Sequence, residues 1–286
     1  MPETEVAAFM PVLNEGGRIG RAIKSLKNQT HSISKLIVVD GGSTDKTHEE
    51  VRAIAEDADF EVDLDILEGA GVRYSSQYGA GKAADYLLDE LGEEDGIVLR
   101  LEGDSSLEKH FVQEADKYLS QDDYKVFGAP VKPHKPSEKP IRKRIWASCQ
   151  NSDMLPKGRG MAFTAQDFRD FHGYRMEENE DIKASPVDCL EDGILVTKLQ
   201  EKGKVAFSYE THVNSTVPST TATSLSRMRL AVKIERKMGP TGYFTKIINP
   251  ANTALYPVKR KTLHNPVLGK PDSWSNMDRL LKKIKV

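Results

Sequence analysis

Along the first hundred residues, short apolar runs alternate with helical stripes. Residues 6–13 form an apolar run that stops at Asn14-Glu15-Gly16-Gly17, a turn signal. Ile19, Ala22, Ile23 and Leu26 then recur at helical spacing. Leu36-Ile37-Val38-Val39 is a β-branched-rich run of the kind buried in parallel sheets, and it breaks at Asp40-Gly41-Gly42-Ser43. A helix through residues 51–55 follows. Val62, Leu64, Ile66 and Leu67 predict a third strand, residues 83–91 a helix, and residues 97–101 a fourth strand. Alternation at this pace predicts an α/β domain with a Rossmann-like, mostly parallel sheet flanked by helices. Ligands of such sheets bind beyond the carboxyl ends of the strands, where the polar segments lie.

Past residue 101 the pattern loosens. Pro130, Pro133, Pro136 and Pro140, interleaved with Lys132, Lys135, Lys139 and Arg142, predict a basic loop. Helical patches cover residues 165–171 and 190–200, and residues 205–207 suit one more strand. A Thr- and Ser-rich loop over residues 216–226 leads into a basic helix over 225–237.

Composition narrows the class. With 286 residues the chain can bury a core without staples, and Cys149 and Cys189 are too few for a disulfide framework. The first ten residues hold two glutamates and no Lys or Arg, unlike a secretory leader. No window approaches the roughly 18 apolar residues of a spanning helix. A soluble, cytoplasmic protein is expected. The net charge of −2 is uneven: residues 257–286 carry +6, which leaves −8 on residues 1–256. In that tail Trp274, Met277, Leu280, Leu281 and Ile284 form a near-helical apolar stripe opposite Arg279, Lys282, Lys283 and Lys285. Such a helix suits peripheral contact with an anionic membrane, and equally docking on the rest of the chain or on a second copy as a homodimer.

Three post-strand segments carry carboxylates: Asn14-Glu15 after the first strand, Asp40 to Asp45 after the second, and Glu102-Gly103-Asp104 after the fourth. Two acids flanking one small residue can present oxygens to one hard cation, Mn²⁺ or Mg²⁺, whose remaining positions phosphate fills. The same tripeptide alone is also an ordinary acidic turn. Glu191-Asp192 offers a carboxylate able to take a proton from an attacking hydroxyl, and also a pair suited to the first turn of a helix.

Taken in order, Pro-x-x-Asn-Glu at 11–15, Val-Val-Asp-x-Gly-Ser-Thr-Asp-x-Thr at 38–47 and the acid-x-acid at 102–104 resemble the GT-A-fold glycosyltransferases of family 2. Gly81-Lys82-Ala83-Ala84 is similar to the start of the helix preceding the acid-x-acid strand, and a weaker match continues through 157–174 and 189–212. The resemblance implies a GT-A-type domain over residues 1–223, with residues 224–286 as a basic helical C-terminal extension. It implies transfer of a sugar from a UDP- or GDP-sugar to a hydroxyl of a glycan or lipid-linked acceptor, with inversion and a divalent metal.

By the same resemblance, Pro11, Asn14, Glu15, Asp40, Gly42, Arg73, Lys82, Glu102, Gly103 and Asp104 face the donor nucleotide. Glu15 would lie near the ribose, Asp40 would accept from a pyrimidine N–H, and Arg73 and Lys82 would meet the diphosphate. Asp40 and Asn14 serve equally well in capping and turn formation. Asp104 and Glu102 would hold the metal, with His212 completing it. Asp192 would be the general base beside Glu191. Gly158, Arg159, Gly160 and Met161 would form the loop under donor sugar and acceptor. One departure is Glu102, where Asp is usual; its longer arm shifts the weight of ligation to Asp104. Arg227, Arg229, Lys233, Arg236 and Lys237 stand roughly where some relatives place a pyrophosphate-binding arginine motif, and also suit a solvated basic face.

A nucleotidyltransferase on a similar sheet is the alternative. It is disfavoured because no Gly-rich run studded with Lys or Arg stands near the N-terminus to hold a triphosphate. No nucleic-acid partner is expected: a basic tail binds polyanions unspecifically and leaves the ordered acidic motifs unexplained.

Overall fold

Seven consecutive buried residues, Val6–Val12, form strand β1 in the interior of the main sheet. The computed structural model describes residues 4–134, 156, 158–176, 178–184 and 191–216. In chain order the strands are β1, β2 (Lys35–Asp40), β3 (Glu61–Ile66), β4 (Ile97–Arg100), β5 (Ser105–Leu107), β6 (Tyr124–Gly128), β7 (Val131–Pro133), β8 (Met161–Thr164), β9 (Lys204–Phe207) and β10 (Val213–Ser215). Seven of them make one sheet in the order β3-β2-β1-β4-β8-β6-β9, and β5-β10-β7 make a small second sheet. In the main sheet β3, β2, β1 and β4 run parallel, β8 runs antiparallel to both β4 and β6, and β9 is parallel to β6. This is the expected mostly parallel architecture.

The helices are α1 (Ile19–Lys27), α2 (Thr47–Ala55), α3 (Val72–Asp85), α4 (Phe111–Leu119), α5 (Ala165–Asp170) and α6 (Glu191–Gln200). The stripe Ile19, Ala22, Ile23 and Leu26 is the buried face of α1. In α3, Gly79, Ala80, Ala83 and Ala84 are buried against β1 and β2. A Cβ at Gly79 would stand 2.9 Å from Val39 Cγ2 and 3.0 Å from Phe9 Cδ2, so the helix axis can lie this close only over a glycine. An aromatic chain continues the core: Phe163 stacks on Phe168 at 5.6 Å, Phe168 meets Tyr174 at 5.8 Å and Tyr174 meets Phe9 at 6.5 Å.

Several expectations change. The helix expected over residues 83–91 begins at Val72 and ends in a wide π turn, Tyr86–Glu90. Its first half, with Ser75, Ser76 and Gly79, lacks the large apolar residues that mark a stripe. Met161, expected in a loop, opens the buried strand β8 between β4 and β6. The first residues of the expected basic loop form β7. The boundary expected at 223/224, the basic helix, the tail and both cysteines lie outside the described residues. Among the described residues no helix is long and apolar enough to cross a membrane.

The contact at Gly79 makes a direct test of this packing. Gly79→Ala should cost about 1–3 kcal/mol by forcing α3 off β1 and β2. Urea denaturation measures it, and an unchanged midpoint would contradict the contact.

Candidate active site

Two polar turns close the carboxyl end of β1 and β2, and they are stitched together. Asn14, at φ 54°, accepts from Thr44 N–H at 3.0 Å, and its own N–H donates to Ser43 Oγ at 2.7 Å. Glu15 N–H donates to Thr47 Oγ1, Gly16 N–H to Asp45 Oδ2 and Gly17 N–H to Glu50 Oε1. Each amide at this strand end is thereby answered by a side chain of the next unit. Asp40 is fully buried and shapes the second turn, accepting from Gly42 N–H at 2.7 Å and Ser43 N–H at 2.6 Å. His48 Nε2 stands 3.1 Å from the same carboxylate. Burial opposes ionisation of Asp40, but the bonds from Ser43, His48 and Gly42 prevail and hold it below the usual carboxylate range. The turn role of Asp40 is thus realised. Pro11 is buried inside β1, level with Val39.

The acid-x-acid segment follows β4 and joins this rim. Gly103 lets Glu15 lie across it, since a Cβ there would meet Glu15 Cγ at 2.9 Å. Asp104 Oδ1 accepts from Ser105 Oγ at 2.8 Å and Ser215 Oγ at 3.4 Å. Its other oxygen is 3.9 Å from Arg159 Nη2, while Arg159 Nε donates to Glu102 Oε2 at 2.9 Å. Glu102 and Asp104 therefore converge on one guanidinium. Burial alone would lower the pKa of Arg159, yet Glu102, Asp104 and Asp192 together raise it.

Helix α6 brings the last acids. Glu191 is buried and holds Arg100 Nη2 through Oε1 at 2.5 Å. Burial and Asp192 raise the pKa of Glu191 against the pull of Arg100. Asp192 is half-buried, and its Oδ2 accepts from Gly158 N–H at 3.3 Å. Arg100 is fully buried, with Tyr174's ring centroid 5.6 Å from its guanidinium carbon. Sequence reasoning passed over Arg100. The signal was there: a lone charge inside Ile97-Val98-Leu99-Arg100-Leu101.

The structure places the other expected residues as follows. Arg73, expected at the diphosphate, is fully buried and bonded to both carboxylate oxygens of Glu180 and to the Tyr174 carbonyl. Lys82 is drawn to the carboxylates of β3, 2.8 Å from Asp65 and 3.3 Å from Asp63. His212 is not beside Asp104. Val213 faces Leu107 and Ser215 faces Ser105, so His212 lies level with Glu108, roughly 13 Å along the strand from Asp104. Met161 is a core residue of β8, and the clearances at Gly158 and Gly160 are filled by Arg100 and by Val213 with Leu107. Among the described residues no three His, Cys, Asp or Glu side chains form a metal-holding group.

Glu15 is a strongly perturbed acid of the rim. Burial lifts its pKa to about 7; Arg18, 2.8 Å away, opposes this, and Asp104, Glu102 and Asp45 reinforce it. Between about pH 4.5 and 7 the folded protein keeps a proton that the unfolded chain has released, so stability falls as pH rises through that window. Glu15→Gln should flatten this fall. Urea unfolding at a series of pH values tests it, and equal slopes in both proteins would contradict it.

Comparison with known proteins gives this geometry a context. No curated protein matches the chain. Among solved structures, S. aureus TarS 1–349 aligns with a TM-score of 0.53 at 15% identity, covering 90% of this chain and 76% of that one. The mannosyltransferase PcManGT from Pyrobaculum calidifontis, in complex with GDP-Man and Mn²⁺, aligns with a TM-score of 0.54 at 15% identity, covering 97% and 79%. A longer TarS chain aligns at 0.51 and 15% identity over 90% of this chain, which spans 44% of its length. At these identities the likeness is one of fold, the GT-A-type arrangement of sheet and helices. The family description "Glycosyl transferase family 2" matches residues 7–177, more than half of the chain. The chain belongs to glycosyl transferase family 2 and is a glycosyltransferase.

Proposed function

We propose that this enzyme moves a sugar from a UDP- or GDP-sugar to an acceptor hydroxyl by direct, inverting displacement, with Asp192 as general base. The observation that carries it is the convergence of Glu102 and Asp104 on Arg159 beyond β4, with Asp192 held by the Gly158 N–H next to Arg159 in the chain. Support for the donor class comes from the neighbours, one solved with UDP-GlcNAc and one with GDP-Man and Mn²⁺. Two carboxylates that converge on one guanidinium have the donor chemistry for one hard cation, so Asp104 and Glu102 would hold Mn²⁺ or Mg²⁺. Such an ion, when bound, offsets charge developing on the leaving nucleoside diphosphate.

The chain's own residues do the rest. Asp192 accepts the proton of the incoming hydroxyl, and the Gly158 N–H keeps its carboxylate turned to the site. The stitched turns at Asn14–Gly17 and Asp40–Thr47 form the floor for the nucleoside, with Glu15 on the ribose side. Holding donor and acceptor in line supplies the orientation that displacement requires. The acceptor class, a glycan or a lipid-linked hydroxyl, is proposed from the basic stripe of residues 274–285. That stripe, in the extension proposed to begin at residue 224, would meet an anionic membrane or a second copy.

Melting temperatures measured with UDP, GDP and CTP, each with and without Mn²⁺, test the donor reading. One nucleoside diphosphate should raise the melting temperature in a metal-dependent way. Stabilisation by CTP alone would favour a nucleotidyltransferase. For the base, Asp192→Asn should leave donor binding intact and lower transfer at least about a hundredfold. Assays of UDP-GlcNAc and GDP-mannose turnover measure this, and retained transfer would remove Asp192 from the role.

A further inference from the structure

Arg100 is a charge placed inside a buried strand, and the chemistry above does not use it. Its guanidinium is sealed from water and meets four groups, one of them Glu102, whose Oε1 lies 3.8 Å from Nη2. Nη2 bonds Glu191 at 2.5 Å, the flat face lies by the Tyr174 ring, and the backbone of residue 158 presses on it. A Cβ at Gly158 would fall 2.6 Å from the guanidinium carbon, so the contact exists only because that residue is glycine. Two of these contacts border Asp192: Glu191 precedes it in the chain, and Gly158 donates its N–H to it.

We propose that Arg100 is the positioning residue for the general base, fixing Asp192 from two sides through Glu191 and through the backbone of Gly158. The inference rests on Asp192 being the base. A planar guanidinium suits this task, because its rigid fork fixes both a carboxylate's direction and the plane of what lies against it. Stability does not explain the residue. Among the described residues Nε and Nη1 of Arg100 are buried without hydrogen-bond partners, and a buried pair that leaves donors unmet is a poor stabiliser. An apolar pair of similar volume would fill the space equally well. What an apolar pair cannot do is set the angle of the first turn of α6 and of residue 158 together.

The double variant Arg100→Met with Glu191→Met separates the two roles. Removing both buried charges should leave a folded protein with a melting temperature within about 5 °C of the native one. Its kcat for UDP-GlcNAc or GDP-mannose, whichever turns over, should fall at least roughly tenfold with donor KM unchanged within about twofold. Arg100→Lys keeps the charge but loses the fork, and should restore part of kcat. A folded double variant with native kcat would overturn the proposal, as would a raised donor KM with native kcat. Should the double variant not fold, Arg100→Lys decides: native kcat there rejects the proposal, and reduced kcat at native KM supports it. Asp192→Asn run in parallel keeps the failures apart. Retained transfer in that variant removes the base and this inference together; lost transfer there, with native kcat in the Arg100 variants, removes this inference alone.

Discussion

A guanidinium sealed at the carboxyl end of β4 is the constraint around which this end of the molecule is arranged. An ionised group taken out of water costs several kcal/mol unless an opposite charge meets it. Glu191 supplies that charge, which ties the start of α6 to the sheet. Tyr174 covers one side of the guanidinium, and residue 158 must be glycine to make room on another. Tyr174 is itself anchored by a second buried arginine, since Arg73 bonds its carbonyl and Glu180 together. Two arginines, one on β4 and one on α3, thus set the path of the chain from residue 158 to residue 180.

The rim beyond β4 is a place where carboxylates are crowded on purpose. Glu102 and Asp104 converge on the single side chain of Arg159, and both reinforce the rise that burial imposes on the pKa of Glu15. Such a surface repels a diphosphate unless cationic charge stands between them. Under the chemistry proposed, the acids are therefore sites for a cation first, and for the donor through it.

The parts of the fold legible in the sequence were those whose burial is complete and local. β1, β2 and β4 are unbroken apolar runs, and α1 shows its stripe at regular spacing. Strands β5, β7 and β10 have three residues each, too few for any period to register. β8 hides behind Gly158-Arg159-Gly160, whose glycines look like a loop until one sees the side chains that fill their clearances. α4 lies beyond residue 101, where the alternating pattern loosens, although Phe111, Val112, Ala115 and Leu119 mark its buried face. In the site, neighbours in sequence were readable: Glu102 with Asp104, Glu191 with Asp192. Pairings across the chain were not. Nothing local says that Arg73 belongs to Glu180, Lys82 to Asp65, or that β10 carries His212 away from Asp104.

The edge strand β3 carries a row of acids on alternate positions, Glu61, Asp63 and Asp65, held by Lys35 and Lys82 from behind. An added strand from another molecule would have to lay its backbone alongside this charged border and break those ion pairs to do so. The main sheet is therefore closed to growth on that side. Among the described residues, strand addition at β3 is opposed by the strand's own side chains, and the other edge of the main sheet is β9.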